Sequence, residues 1–514
     1  MVRRPGRHRG AGALGQRILL PLPCLGPGLR RAEHQDQTHP PLPAPDQRQD
    51  RTLPPHPGRW LGLRPVLPLH GRARRCPTGL AALLQSSSSP LRTWRPATGH
   101  PPDQPPWTSQ LAGIPLAVKD IVDVAGFPTT GGTRSLEHDV VARDAPAVAR
   151  LREAGALFAL KTNLHELSFG ITSNNGAYGP VRHPADPALS PGGSSGGSAV
   201  AVAVGLVPAA VAADTGGSAR IPAALCGIVG FRPTLGRYPS SGVLPIAHSR
   251  DTIGPMARTV DDIVLLDALL AGEHPLGAPG ARHLEFDDEG PGPLHGVRLG
   301  VPELFLEDLE PGVDTVFGAG LRALEAAGTE LVPVDVRPAR ELAAAAGMTI
   351  ALHEFLPDLQ SYLEARGTGR SLDEVRDGIG SPDVRRIWEL AQVFRAADDD
   401  YRAAQEERRL ALRLYTGAMQ AQGVTALVQP TCPLTARPIG DDETVELNGR
   451  RVPTFDTFTR HSDLAGIIGT PGISLPAGRT AEGLPVGLEL AAGPGADAVL
   501  LDLARTVEAL LRDQ

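Results

Sequence analysis

Two glycine-serine clusters bracket the stretch SPGGSSGGSAVAVAVGLVPAAVAADTGGSAR, Ser190 to Arg220, and each carries serine hydroxyls that could attack a carbonyl carbon. A serine hydroxyl is a weak nucleophile until a neighbouring base takes its proton. The base must come from elsewhere in the chain. Of 50 basic residues only two, Lys119 and Lys161, are lysine; the other 48 are arginine. Arginine does not surrender its proton in a protein, whereas a lysine can. Each lysine is therefore a candidate base, set against retention at an ordinary surface position.

Glycine-serine knots are more often linkers than active sites. Here the segment between the knots, AVAVAVGLVPAAVAA, is apolar nearly throughout and is expected to be buried, which a solvated tether is not. GGSSGG fits G-x-S-x-G on Ser194 and again on Ser195, the pattern of a nucleophile elbow. That chemistry needs a later acid and then a histidine, and His248, His353 and His461 are candidates without a telling context. DTGGS resembles the loop of aspartic proteases, but it occurs once and the chain is not all-β. A P-loop fails, because no Gly-Lys-Ser/Thr follows the glycines.

The elements that must position these serines follow from periodicity. Residues 1–105 are rich in Pro, Arg, His and Gln, without useful periodicity, and read as a disordered region or as out-of-frame translation. Residues 106–514 form the folded domain. Ile114 to Val118 is a buried strand with a turn at Gly126; APAVARLREAGALFALKTN gives a helix, a stop at Gly155 and a strand. A second such unit is VRLGVP, GVDTVFGAGLRALEAAG and LVPVDV. Residues 339–420 read as long amphipathic helices, an insertion suited to covering a substrate. Strands return at VTALVQP, GISLPAG and LPVGLELAA, and a last helix runs from about Asp497 to Leu511. Strands alternating with helices make an α/β fold with a parallel or mixed sheet.

Charge narrows the function. The first hundred residues hold 16 Arg against 4 acids, so the net −7 leaves about −19 on residues 101–514. That acidic body argues against nucleic acid as a partner. No apolar run reaches the length that spans a bilayer, so no membrane partner is expected. Cys24, Cys76, Cys226 and Cys432 show neither disulfide nor zinc spacing, which points to a reducing cytoplasm.

GIPLAVKD at 113–120, SPGGSSGGS at 190–198 and DTGGSARIPAALCGIVGFRP at 214–233 together resemble the amidase signature family. The likeness covers roughly residues 110–270 and 425–511, with the family's order of motifs and its spacing of 24 between two serines. It implies the amidase signature fold, a large mixed β-sheet core covered by helices on both faces. It also implies a catalytic triad: Ser218 as nucleophile, Ser194 as a bridging serine on a cis peptide, and Lys119 as base. Apolar surroundings favour a lysine's neutral form, and a hydroxyl such as that of Ser194 can accept from one partner while donating to another. The backbone N–H groups of Thr215, Gly216, Gly217 and Ser218 are candidate oxyanion donors. Pro222 is placed to begin a helix aimed at the same oxygen. Asp214 and Arg220 read as an ion pair that supports the loop, while Lys161 and Cys226 read as structural.

Within the family, LKTNLHELSFGITSNNGAYGPVRHP and SRDTIGPMARTVDDIVLLDALLAG are most similar to indoleacetamide and mandelamide hydrolases. Lys161 to Arg182 contains no intervening cation, while Phe169 and Ile171 offer apolar surface to an acyl group. A neutral small-molecule arylacetamide suits that lining better than a carboxylate-bearing substrate. The rivals are the glutaminase subunit of a tRNA-dependent amidotransferase, from which AHSRDTIGP departs, an allophanate-type hydrolase, and an inactive scaffold. No metal or other cofactor is implied, His165-Glu166 being too few groups for a metal site. A homodimer is compatible with the sequence.

Overall fold

The structure, a computed structural model, describes residues 110–273, 293–393 and 397–512. The expectation of disorder for residues 1–105 lies outside the described residues.

The strand expected at Ile114 is β1, Pro115–Lys119, followed by helix α1, Pro146–Glu153, and β2, Leu157–Thr162. Between α1 and β2, Gly155 adopts φ +93°, and a β-carbon there would lie 2.7 Å from Ala112 Cα. Two-residue strands β3, Asn174–Asn175, and β4, Gly179–Pro180, precede α2, Gly196–Ala203. Then come β5, Ala209–Asp214, α3, Arg220–Cys226, β6, Val229–Arg232, β7, Thr252–Ala257, and α4, Val260–Ala271. The second expected unit is β8, Arg298–Val301, α5, Pro311–Ala326, and β9, Glu330–Pro333. The amphipathic stretch forms α6, Arg337–Arg366, α7, Leu372–Asp377, α8, Pro382–Val393, and α9, Asp398–Gln422. After β10, Ala426–Pro430, a small hairpin pairs β11, Thr444–Leu447, with β12, Arg450–Pro453. Short helices α10, Thr454–Thr459, and α11, Asp463–Ile468, lead to β13, Gly472–Arg479, β14, Pro485–Ala491, and α12, Asp497–Arg512.

Ten strands make one mixed sheet in the order β2-β1-β5-β7-β6-β13-β14-β10-β8-β9. Parallel pairs lie toward both ends, and antiparallel pairs run from β5 through to β10. Side chains alternate across each strand, and here the two faces carry different sizes. Leu116 and Val118 of β1 join Val211 of β5 in a large core with Leu151, Ile263, Leu266 and Phe231. Ala117, Ala210 and Ala212 point to the opposite face, where they meet Ala199, Val202, Ala219 and Ala223 of the α2 and α3 regions. Small residues let these two helices approach the sheet closely.

That alternation decides where the chemistry sits. Lys119 shares parity with Ala117, so it faces the side covered by α2 and α3. Ser194 lies just before α2 and Ser218 just before α3. The tight packing is visible at Ala219: a β-carbon on Gly254 would lie 2.7 Å from Ala219 Cβ, and one on Gly230 would lie 2.5 Å from Ala219 O. Gly230→Ala is therefore expected to push α3 off the sheet and cost roughly 1–3 kcal/mol. Urea unfolding measures it, and an unchanged midpoint would contradict this packing.

Candidate active site

Each serine is held by its backbone. The Gly193–Ser194 peptide bond is cis, and Gly192 adopts φ +79°. The Ser173 hydroxyl donates to Gly192 O at 2.8 Å and to Ser194 O at 3.3 Å, and the His165 N–H donates to Ser194 O at 3.0 Å. The loop 165–175 thus cradles the first serine cluster. Its own shape requires positive φ at Leu167, Ser168 and Ser173.

The second cluster is organised around one carboxylate. Asp214, the last residue of β5, accepts from the N–H groups of Gly217 at 2.9 Å and Ala219 at 3.1 Å. It also accepts from Arg220 Nε at 3.0 Å and Nη2 at 2.9 Å, and from Arg232 Nη1 at 3.1 Å. Arg220 reaches onward to Glu489 at 2.7 Å and Ser462 O at 2.9 Å. Asp214, Arg220, Arg232 and Glu489 are fully buried. Burial alone would raise the Asp214 carboxyl, but the Arg220 and Arg232 guanidiniums outweigh it and hold it well below the usual carboxylate range. The turn carrying Ser218 is thereby fixed by charge-assisted hydrogen bonds among buried groups.

The fold brings Lys119, Ser194 and Ser218 together. Lys119 Nζ donates to Ser194 Oγ at 2.8 Å, and Ser194 Oγ donates to Ser218 Oγ at 3.0 Å. Hydroxyl hydrogens rotate, so the same heavy-atom distances serve a chain running the other way when the amine is neutral. Lys119 is 1% exposed, Ser194 0% and Ser218 8%, which leaves Ser218 as the member in reach of a ligand. Burial pulls the Lys119 amine down from 10.5 to about 7, against Asp251 and Asp214, which pull it up. Lys161, by contrast, is tied to Asp120 at 2.8 Å, Pro128 O at 3.0 Å and Thr129 Oγ1 at 3.0 Å.

Three of the four expected oxyanion donors, the N–H groups of Thr215, Gly216 and Ser218, have no acceptor among the described residues. The fourth is a correction: the Gly217 N–H is already donated to Asp214, at φ +121°, and is spent on the turn. Helix α3 begins at Arg220, two residues before Pro222, which occupies its first turn. The histidines of the nucleophile-elbow pattern are engaged elsewhere. His461 Nδ1 bonds Pro430 O, His248 pairs with Asp358, and His353 stacks on Tyr401. Ser195 Oγ donates to Ala213 O. His165 pairs with Asp383, and Glu166 accepts the N–H groups of Gly380 and Ser381 just before α8.

Ile171 is buried against Ile221, Leu225, Leu434 and Phe458, beside the Ser194 loop. Phe169 meets Phe355 of α6 edge-on at 4.4 Å, and Phe355 meets Trp388 of α8 at 5.3 Å. Sequence reasoning missed Asp251, which accepts from Thr215 Oγ1 at 2.6 Å, and the pair formed by Arg250 and Asp463 beside Gly216. Arg250 and Asp251 stand in the SRDTIGP motif, but nothing local reveals that the chain folds back onto residues 215–218.

The family model for Amidase matches residues 102–501, and the chain belongs to that family, the amidase signature enzymes. It is 37% identical over 406 residues to an indoleacetamide hydrolase of Allorhizobium ampelinum (strain ATCC BAA-846 / DSM 112012 / S4), covering 78% of this chain and 85% of the relative. It is 39% identical over 421 residues to a mandelamide hydrolase of Pseudomonas putida, covering 78% and 79%. A glutamyl-tRNA(Gln) amidotransferase subunit of Koribacter versatilis (strain Ellin345) is 37% identical over 414 residues, covering 78% and 84%. A crystal structure of an amidase matches with a TM-score of 0.67 at 37% identity, covering 78% of this chain and 85% of the other. The fold expected from the sequence is the one observed, and the chain is an amide-hydrolysing enzyme. Among the described residues no helix is long and apolar enough to cross a membrane.

Breaking the buried ion network should unfold the site. Arg220→Met leaves Asp214 and Glu489 buried without their shared partner, at an expected cost of about 3–5 kcal/mol. A loss below about 1 kcal/mol in chemical denaturation would contradict the network's role.

Proposed function

We propose that the chain hydrolyses a neutral primary arylacetamide, such as indole-3-acetamide or mandelamide, to the carboxylate and ammonia through Ser218, Ser194 and Lys119. The observation that carries this is the unbroken hydrogen-bond chain from a desolvated amine to the one member of the three that a ligand can reach. A neutral Lys119 accepts the Ser194 proton as Ser194 accepts that of Ser218, and Ser218 Oγ attacks the amide carbon. The N–H groups of Thr215, Gly216 and Ser218 receive the charge that develops on the carbonyl oxygen. Collapse of the tetrahedral adduct breaks the C–N bond, and the proton returns along the same chain to the departing nitrogen as ammonia. Water then attacks the Ser218 ester, giving its proton to the same relay, and the carboxylate leaves.

The acyl preference rests on the relatives' named substrates and on the partly buried Phe169, which is backed by the buried rings of Phe355 and Trp388. Phe169, Phe355 and Trp388 form one ladder from the Ser194 loop into α6 and α8, and we assign helices α6–α9 as the wall over the acyl group. Glu166 ties α8 to that loop through Gly380 and Ser381. The second reading, glutaminase activity within a tRNA-dependent amidotransferase, is favoured by the Koribacter relative.

Two experiments test this. Ammonia release from indole-3-acetamide, mandelamide, phenylacetamide, glutamine and malonamate should be confined to the aryl amides. It should fall at least roughly a thousandfold in Ser218→Ala; glutamine as the preferred substrate would favour the second reading, and an active Ser218→Ala would remove the triad. Because the base must be neutral, kcat/KM should rise tenfold per pH unit on the acid side and level off above about 7. Lys119→Arg should be inactive throughout, and a flat profile from pH 5.5 to 8.5 would contradict the assignment of Lys119.

A further inference from the structure

A cation and an anion stand together against Gly216, one of the candidate oxyanion donors. A β-carbon on Gly216 would lie 2.6 Å from Asp463 Oδ1 and 3.5 Å from Arg250 Nη2. Asp463 is the first residue of α11, and Arg250 lies in the loop entering β7. Arg250 Nη2 donates to Asp463 Oδ1 at 2.5 Å, and Nη1 donates to Gly347 O of α6 at 3.0 Å. Arg250 Nε is buried without a partner among the described residues. The Asp463 side chain is 22% exposed against 8% for Arg250, and its Oδ2 has no partner among the described residues.

The absence of a cation between Lys161 and Arg182 is thus only half of the charge pattern. The fold supplies a cation from 32 residues beyond Ser218 and covers it with a carboxylate that is the more accessible of the two. Nearby Arg408 is spent on Ile467 O and Ser249 O, and Arg232 on Asp214, so among the described residues Arg250 is the one guanidinium lying against Gly216.

We propose that Asp463 is a charge filter for the acyl site: it neutralises Arg250 and excludes amides that carry a free carboxylate, and without it Arg250 becomes a receptor for them. This rests on the proposed amidase site and specifies what that site rejects. A ligand carboxylate beside this ion pair finds the guanidinium's charge already matched and meets the more accessible Asp463 oxygen, so it gains no net attraction. A guanidinium freed of its partner offers a carboxylate the planar donor pair it binds best.

The test compares the wild-type protein with Asp463→Asn and Asp463→Ser on phenylacetamide, malonamate, succinamate and glutaramate. In either variant the ratio of kcat/KM for the best anionic amide to that for phenylacetamide should rise at least tenfold, mainly through KM. Adding Arg250→Met should cancel the gain. An unchanged ratio at all three chain lengths in both variants would overturn the filter, as would a gain that survives loss of Arg250. Calorimetric binding of the same anionic amides to the Ser218→Ala protein, with and without Asp463→Asn, gives the answer without turnover. Tighter binding on removing Asp463 supports the filter even if the triad assignment fails, and equal binding overturns it even if the triad holds.

Discussion

The site depends on the cost of keeping one amine out of water. An ammonium buried at 1% exposure with one hydrogen-bond partner among the described residues loses most of its solvation, and the neutral form gains by comparison. Asp251 and Asp214 oppose this without reversing it, because the loss of solvation outweighs both carboxylates. A lysine that would be inert at the surface sits near its midpoint at physiological pH. The remaining structure can be understood as the means of burying that amine beside two hydroxyls. Ala117 of β1 and the alanines of β5 bring α2 and α3 close to the sheet, and the ion network around Asp214 fixes the turn that presents Ser218.

Much of this was legible in the sequence because it is local. The alternation in IPLAVK places Lys119 on a defined face, the two glycine-serine clusters are explicit, and the helix-strand rhythm marks β1, α1, β2, β8 and α5 to within a residue or two, with β9 ending three residues before the expected LVPVDV does. The scarcity of lysine singled out Lys119 and Lys161. The structure then separates them, since Lys161 has three oxygen acceptors where Lys119 has one.

What escaped the sequence is what long-range closure creates. Gly217 was expected to face an incoming oxygen, but the Asp214 carboxylate lies three residues upstream and takes its N–H. Glu489, on a strand 269 residues from Arg220, completes the ion network, and nothing in LPVGLELAA marks that glutamate as buried. The same applies to Asp463, whose place beside Gly216 follows from α11 lying over residues 215–217. Glycine is favoured at 217 by φ +121° and by Ser462 beside it, and a side chain at 216 would have to displace Asp463 Oδ1.

The most direct test of the mechanism uses the chain's own scarcity of lysine. Protein grown with 13C-labelled lysine carries only two Cε sites, at Lys119 and Lys161. One of the two resonances should titrate with a midpoint of about 7, disappear in Lys119→Met and persist in Lys161→Arg. If neither resonance moves between pH 5.5 and 8.5 in the folded protein, Lys119 is not a base poised near neutral pH, and the proposed mechanism loses its foundation.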